Sequence, residues 1–236
     1  MQTILYKAAD RGAANFGWLQ AKHSFSFGQW YNPALTNFGA LRVLNDDIVQ
    51  GGGGFPTHAH DNMEIITIPL QGALQHKDST GGNGIINKND VQIMSAGTGV
   101  QHSEFNASAT EAVNLLQIWI FPKDKNILPQ YDQKTYDPKV RINKWQTIVS
   151  GTPSETTLTI QQNAVLALLT LQTSHTITYS TQYPNSGIYL FVIDGEITIN
   201  NTALTKRDAI GITLTNNISI QATATAEILL IEIPML

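Results

Sequence analysis

The hydrophobic positions of the chain fall in short runs that alternate with turn residues. Each run is rich in Val, Ile, Leu, Thr or aromatic side chains, and Gly, Asn and Asp cluster between the runs. Helical periodicity is scarce. Short, regularly spaced strands of this kind are typical of a β-sandwich or a jelly-roll barrel, so we predict an all-β fold. Strands are predicted at residues 40–44, 64–70, 84–86, 90–94, 113–121, 165–171, 188–193, 196–199, 218–221 and 227–233.

The second half of the chain repeats the pattern of the first half. Residues 65–72 align with residues 188–195, and both segments are apolar runs that end in glycine. A repeated pattern of this size indicates two copies of one supersecondary unit. We therefore predict two tandem jelly-roll barrels, one in residues 1–130 and one in residues 131–236.

Charge and composition exclude several classes of function. The 236 residues include 14 Lys and Arg and 18 Asp and Glu, which gives a net charge of -4 without any basic cluster. Direct nucleic-acid binding is therefore not expected. The absence of Cys removes disulfides and thiolate metal ligands. No apolar run approaches the roughly 20 residues that span a bilayer, and residues 1–11 lack the apolar core of a signal peptide, so we expect a soluble cytoplasmic protein.

Two short motifs place metal-binding side chains at alternate positions. His58 and His60 form a His-x-His pair, and His102 and Glu104 form a His-x-Glu pair. Because side chains alternate between the two faces of a β-strand, both members of each pair point to one side. Two such strands side by side would collect three imidazoles and one carboxylate, which suits a first-row transition metal with room for water, substrate or dioxygen. Glu64 shares the parity of His58 and His60 and is the rival carboxylate.

The remaining histidines are less distinctive, and a purely structural role is the alternative for every histidine in the chain. His76 stands in a His-x-Asp context and is interpreted either as a group near the pocket or as a surface residue at a strand end. His23 is expected to be structural and His175 to face solvent. The apolar lining of the metal pocket is expected from Ile66, Ile68, Leu116 and Ile118.

The second copy of the repeat carries no counterpart of these ligands. With residues 188–195 aligned on residues 65–72, the positions of His58 and His60 are taken by Thr181 and Tyr183. With residues 206–208 aligned on residues 88–90, the positions of His102 and Glu104 are taken by Ile220 and Ala222. We therefore expect one metal, in the N-terminal barrel. The C-terminal barrel is expected to serve packing or to form a pocket wall.

The two metal motifs resemble those of the cupin superfamily. Residues 52–64 have the pattern G-x5-H-x-H-x3-E of the first cupin motif, and residues 99–106 have the pattern G-x2-H-x3-N of the second. The pirin branch of the cupins is closer still, and the match is dense over residues 1–122. Gly97, where most cupins have proline, is itself a pirin feature. The pirin-like segments are HSFSFG at 23–28, RVLNDD at 42–47, MEIIT at 63–67, HKDS at 76–79 and DVQIMSAGTG at 90–99.

The resemblance implies a bicupin with an activity like that of bacterial pirin-like quercetin 2,3-dioxygenases. In that reaction the 3-hydroxyl of a flavonol is deprotonated at a metal, dioxygen adds across the heterocycle, and carbon monoxide and a depside are released. In pirins the carboxylate ligand comes from the His-x-Glu pair, so the resemblance favours Glu104 over Glu64 and makes Glu104 the candidate catalytic base. It implies one divalent metal, with Fe(II) as the first choice and Cu, Ni, Mn or Zn as alternatives.

The implied partners are a small apolar phenolic substrate and dioxygen, acting on a monomeric protein. The true substrate is either quercetin-like or an endogenous phenolic or enediol for which quercetin is a surrogate. Animal pirins are iron-dependent transcriptional cofactors that bind partner proteins, so the competing hypothesis is a non-enzymatic iron-binding adaptor. An open apolar pocket at the metal favours the enzyme, whereas a plugged lumen with a large exposed patch favours the adaptor.

Overall fold

The computed structural model describes residues 1–236, and almost all of its regular structure is β-strand, which confirms the all-β prediction. The first half of the chain contains the strands β1 (Gln2–Tyr6), β2 (Gly12–Asn15), β3 (Leu19–His23), β4 (Leu41–Val49), β5 (Gly54–His60), β6 (Glu64–Gln71), β7 (Ala73–Asp78), β8 (Asn83–Asn87), β9 (Asp90–Ser95), β10 (Val100–Asn106), β11 (Val113–Ile120) and β12 (Gln130–Thr135). The second half contains β13 (Gln146–Ser150), β14 (Leu158–Thr159), β15 (Val165–Leu171), β16 (Thr176–Ser180), β17 (Ser186–Ile199), β18 (Thr202–Thr205), β19 (Ala209–Thr213) and β20 (Asn217–Pro234). Single turns of 3₁₀ helix occur at Ala8–Asp10 and Pro138–Arg141. None of the helical segments has the length and apolar character needed to cross a membrane.

The strands form two tandem barrels, as predicted. In the first barrel a seven-stranded sheet, β12-β9-β6-β11-β4-β3-β2, faces a four-stranded sheet, β5-β10-β7-β8. The second barrel is built from one nine-stranded sheet. Seven of its strands follow the order β1-β19-β17-β20-β15-β13-β14, and the other two, β16 and β18, pair with β20 and β17. The long strands β17 and β20 run through both walls of this second barrel.

Two pairs of predicted strands are each one continuous strand in the structure. Residues 218–221 and 227–233 both belong to β20. Residues 188–193 and 196–199 both belong to β17, whose pairing with β20 shifts register on either side of Asp194. Gly195 lies at this irregularity with a φ of 83°, a conformation that glycine adopts without strain. The residues between the two apolar runs therefore form a bulge that bends the strand and do not end it.

Each barrel includes a strand from the other side of the predicted boundary. β1 pairs with β19 over Gln2↔Thr213 to Tyr6↔Ala209, so the N-terminus completes the second barrel. β12, which begins at Gln130, pairs with β9 of the first barrel. These two strands therefore link the barrels to each other. The domain boundary at residue 130 remains a prediction.

The largest apolar core lies between the barrels. Ile66, Ile68, Leu116 and Ile118 belong to this core and pack with side chains of the second barrel such as Phe191. The expectation that these four residues line the metal pocket is wrong: they lie on the opposite face of the sheet. Burial of each Ile or Leu side chain contributes about 1.5–3 kcal/mol, so this interface is a major source of stability.

The lumen of the second barrel is filled by side chains. A core of 17 buried apolar residues occupies it. Ile220 and Ile218 on β20 pair with Ile177 and Tyr179 on β16, in the way that His102 and Val100 pair with His58 and His60. The ungapped count that placed Thr181 and Tyr183 at the histidine positions is therefore wrong by four residues. The interval from Tyr179 to Ile188 is four residues longer than the interval from His60 to Ile65, which explains the offset.

Candidate metal centre

Three histidines meet at the paired strands β5 and β10. His102 lies directly opposite His58, and Val100 lies opposite His60. The ring centroids are 4.4 Å apart for His58 and His102, and 4.9 Å apart both for His58 and His60 and for His60 and His102. A nitrogen of each ring lies within 4.8 Å of the others, so the predicted clustering of the three imidazoles is present in the structure.

The nitrogens of this cluster are available to a metal. His58 Nδ1 donates a hydrogen bond to the Pro56 carbonyl at 2.8 Å, which leaves the Nε2 lone pair free. His60 Nε2 and both ring nitrogens of His102 are buried without a hydrogen-bond partner. Such groups are rare in native structures unless an ion or water satisfies them. The donor set therefore fits a divalent transition metal.

The protonation state also fits metal binding. Burial, assisted by the neighbouring imidazoles, lowers the pKa of His60 to about 4 and the pKa of His102 to about 3. Both rings are therefore neutral at pH 7, and a neutral imidazole is the form that binds a metal.

Glu104 follows His102 by two residues on the same face of β10. Its side chain is buried, and burial raises the pKa of its carboxyl group. Gln117 Nε2 donates to the two carboxylate oxygens at 3.2 and 3.0 Å, and Thr67 Oγ1 donates to Oε1 at 3.3 Å. The carboxylate clusters with His102 and His76 and lies apart from the other two histidines.

A β-bulge separates Glu104 from the three-histidine cluster. His102 pairs with His58, but Glu104 pairs with Phe55, so β5 has one residue more than β10 in this interval. Pro56 and Thr57 lie opposite the single residue Ser103, and Pro56 has no N–H to contribute to the ladder. The bulge brings the Pro56 carbonyl to His58 Nδ1 and thereby orients that ring.

His76 lies in the lumen and not at the surface. It is fully buried on β7, where its Nε2 donates to Asp78 Oδ2 at 2.9 Å, and its ring stacks on Tyr131 with centroids 4.8 Å apart. Asp78 is held in turn by Thr80 and by the backbone N–H of Gly82. His76 Nδ1 is buried without a partner. The interpretation of His76 as a group near the pocket is the one that the structure supports.

The other candidates lie away from the histidine cluster. Glu64 faces the space between the barrels, where its Oε2 accepts from Ser95 Oγ at 2.8 Å and from the Gln161 N–H at 3.1 Å. Asn62, with a φ of 45°, lies in the turn between β5 and β6, and this turn breaks the alternation on which the shared parity of Glu64 and His58 depended. His175 is exposed, as expected.

A row of buried polar side chains crosses the sheet beneath the cluster. His23, Asn45, Gln117, Thr67 and Gln92 are successive partners on β3, β4, β11, β6 and β9. Directly opposed residues share a face of the sheet, so the whole row points into the lumen. The row was missed from the sequence, although a lone polar residue within a long apolar run, such as Gln117 in VNLLQIWI, is a usable signal.

An open cavity of about 350 Å³ lies at the cluster. His58, His60 and Glu104 contribute to its wall, and its apolar surface comes from Phe27, Phe55 and Trp119. This volume is within the range of small-molecule sites. Asp47 also lines the cavity, and burial together with the charges of Asp46 and Glu104 raises its pKa to about 8.

Comparison with known proteins gives a consistent result over the whole chain. The family model described as Pirin matches residues 6–120, and the model described as quercetinase C-terminal cupin domain matches residues 147–233. A protein of Escherichia coli strain K12 named quercetin 2,3-dioxygenase is 38% identical over 234 residues, which cover 98% of each chain.

Solved structures agree with this match. The crystal structure of YhhW from Escherichia coli has a TM-score of 0.94 at 37% identity and covers 100% of this chain and 99% of that chain. The structure of bacterial pirin YhhW in complex with nickel(II) has a TM-score of 0.93 at 36% identity and covers 100% of both chains. With both barrels matched and relatives aligned from end to end, this bicupin belongs to the pirin family.

Proposed function

We propose that the protein is a metal-dependent dioxygenase that cleaves a flavonol, or a related phenolic or enediol, in a reaction like that of quercetin 2,3-dioxygenase. The observation that carries the proposal is the cluster of three imidazoles at an open cavity, in which His60 and His102 have buried ring nitrogens without hydrogen-bond partners. The names of the similar proteins support the same reaction class.

The proposed metal ligands are His58, His60, His102 and Glu104, with Fe(II) as the first choice of metal. The nickel complex of the similar YhhW structure supports a divalent ion in this fold. A metal bound here supplies Lewis-acid activation of a substrate hydroxyl and the redox capacity for reaction with dioxygen. Glu104 would be the fourth ligand, because its carboxylate lies within 4.8 Å of a ring nitrogen of His102.

Glu104 is also the proposed catalytic base. Because burial raises its pKa, its carboxylate binds a proton more readily than an exposed glutamate does. Gln117 and Thr67 hold the carboxylate in place, so it is positioned to take the proton of the substrate hydroxyl. Phe27 and Trp119 line the cavity and favour a flat aromatic substrate.

The competing function is a non-enzymatic iron-binding adaptor. The open, aromatic cavity at the histidines supports the enzyme over the adaptor, because an enzyme needs space for a substrate at the metal and a protein adaptor does not. A monomeric cytoplasmic enzyme that acts on a small phenolic, without a nucleic-acid partner, is part of the same proposal.

The deciding experiment combines metal analysis with turnover. Protein purified without a metal-chelating column is analysed for bound metals and then incubated aerobically with quercetin while the flavonol absorbance is followed. We expect loss of absorbance in proportion to iron or copper content, and no loss in Glu104→Ala. Glu196→Ala, which changes an exposed glutamate of the second barrel, is the matched control and should behave like the unmodified protein.

The other outcomes are equally informative. Turnover by a metal-free His58→Ala variant would refute the mechanism. Stoichiometric metal without turnover would favour the adaptor, and protein without any metal after reconstitution would argue against both functions.

A further inference from the structure

A second cavity adjoins the metal cavity in the first barrel. Its volume is also about 350 Å³. It lies between the β2–β3 hairpin, the turn that follows β3 and the inner face of β4. We call it the side chamber and define it by the wall residues Ala13, Ala14, Leu19, Ala21, His23 and Trp30.

The two cavities share part of their walls. The residues that line both are Phe27, Asn45, Asp47 and Phe55. The ring of Phe27 is 5.3 Å from Trp119 of the metal cavity and 5.3 Å from His23 of the side chamber, measured between centroids. Phe27 and Phe55 are the aromatic side chains of this shared wall, so the side chamber directly adjoins the candidate site.

Two polar residues, Asn45 and Asp47, lie at the junction of the cavities, and Asn45 Oδ1 is hydrogen-bonded to His23. Asp47 differs from Asn45 because one of its side-chain oxygens has no partner. Its side chain is 4% exposed, and Oδ1 is buried without a hydrogen-bond partner. Its partners across the strands are Ala21 on β3 and Leu115 on β11, which have no polar side-chain atoms. A buried carboxyl oxygen without a partner is costly, and a ligand hydroxyl at this point would satisfy it.

The side chamber itself is mainly apolar. Ala14 and Ala21 face each other on β2 and β3, and their small side chains leave the space that Leu19 and Trp30 enclose. Apolar walls of this kind favour burial of an aromatic ring. The volume, the shared wall and the unpartnered carboxyl oxygen of Asp47 together fit a ligand with two parts.

We propose that the side chamber is a second substrate compartment. It takes the aryl substituent of a phenolic substrate whose hydroxylated ring system lies in the metal cavity. Asp47 forms a hydrogen bond with a substrate hydroxyl at the junction of the two cavities. This inference rests on the proposed function and deepens it, because the side chamber would favour phenolics with an aryl substituent over single-ring phenolics.

The test measures binding in the absence of turnover. Zinc-loaded protein is titrated calorimetrically under nitrogen with quercetin as the probe that carries an aryl substituent and catechol as the single-ring probe. Ala14→Phe places a ring in the side chamber from a half-buried position. We expect quercetin affinity to fall about tenfold or more, with catechol affinity unchanged. Ala203→Phe makes the same change at an exposed position of β18 and should alter neither affinity.

The contribution of Asp47 is tested by a pair of variants. Asp47→Leu removes the hydrogen-bonding group and should lower quercetin affinity about tenfold. Asp47→Asn keeps the shape and a hydrogen-bonding amide, so it should restore most of that affinity. Circular dichroism and metal content establish that both variants are folded and loaded.

The result that overturns the inference is distinct from failure of the proposed function. Unchanged quercetin affinity in Ala14→Phe, equal losses for both probes, or failure of the unmodified protein to bind quercetin would each refute the side chamber as a substrate compartment. The dioxygenase proposal fails separately, if iron-loaded unmodified protein does not consume quercetin in air.

Discussion

His58 and His102 lie directly opposite each other on β5 and β10, with ring centroids 4.4 Å apart. Backbone pairing fixes this register, so the two imidazoles are brought together by the sheet itself. His60 joins them from the same strand as His58, at 4.9 Å from either ring. The arrangement is therefore preorganised, and metal binding does not need the strands to move.

Loss of one histidine should abolish stable metal binding. His102→Ala removes the ligand that is shared by both clusters of metal-binding groups, so we expect metal content after dialysis to fall about tenfold or more. Elemental analysis of the dialysed protein measures this. His175→Ala, at an exposed histidine of the second barrel, is the control. Retention of full metal content by His102→Ala would exclude His102 from the ligand set.

Gln117 should affect the metal through Glu104. Gln117→Leu preserves volume but removes both hydrogen bonds to the carboxylate. Partners of this kind typically change metal affinity about 10–100-fold, and we expect weaker binding in that range. Competition with a chelator of known affinity gives the constant. Gln221→Leu on the exposed face of β20 should bind as the unmodified protein does; equal affinities in the two variants would contradict the role of Gln117.

The free energy of unfolding should fall as the pH rises, because the buried carboxyl group of Asp47 has a raised pKa. Burial, with the charges of Asp46 and Glu104, raises its pKa from 3.8 to about 8. Between these values the folded protein holds a proton that the unfolded chain has released, so raising the pH across this interval destabilises the fold. Asp47→Asn removes that penalty.

The melting temperature of chelator-treated protein provides the measurement. Relative to the unmodified protein, Asp47→Asn should gain about 5 °C or more between roughly pH 5 and pH 8.5. A difference between the two proteins that is the same at both pH values would show that Asp47 keeps an ordinary pKa.

The core between the barrels should govern the stability of both barrels. Ile118 is fully buried there, and Ile118→Ala should lower the free energy of unfolding by about 2–5 kcal/mol because it leaves a cavity. Denaturant titration measures the loss, and metal content per folded molecule should be unchanged. Ile85→Ala, at a half-exposed isoleucine of β8, should cost less than about 1 kcal/mol. Equal losses would place Ile118 outside the core.

The sequence alone determined the fold class and the clustering of His58, His60 and His102. Short alternating runs separated by turn residues are a local property, so strands could be predicted without knowing their neighbours. The two motifs around His58 and His102 place their side chains on one face of each strand by the period of the backbone. The resemblance of these motifs to known families then indicated which strands come together.

The tertiary structure decided which face of each strand looks into the lumen. The period of two gives the alternation but not its phase relative to the core, because the phase depends on pairing partners and on breaks between strands. Ile66 and Ile68 therefore turn towards the second barrel, and Thr67 between them faces the metal site. Glu64 lost its predicted alignment with His58 at the turn through Asn62.

The polar surroundings of the metal centre were likewise decided by long-range pairing. His76, Asp47 and Gln117 come from β7, β4 and β11, which are distant in sequence from one another and from the histidine motifs. The apolar run around Gln117 marks it as a buried polar residue, but no local feature of the sequence shows that it contacts Glu104. Their proximity follows from the order in which the strands are hydrogen-bonded, and that order is a property of the folded sheet.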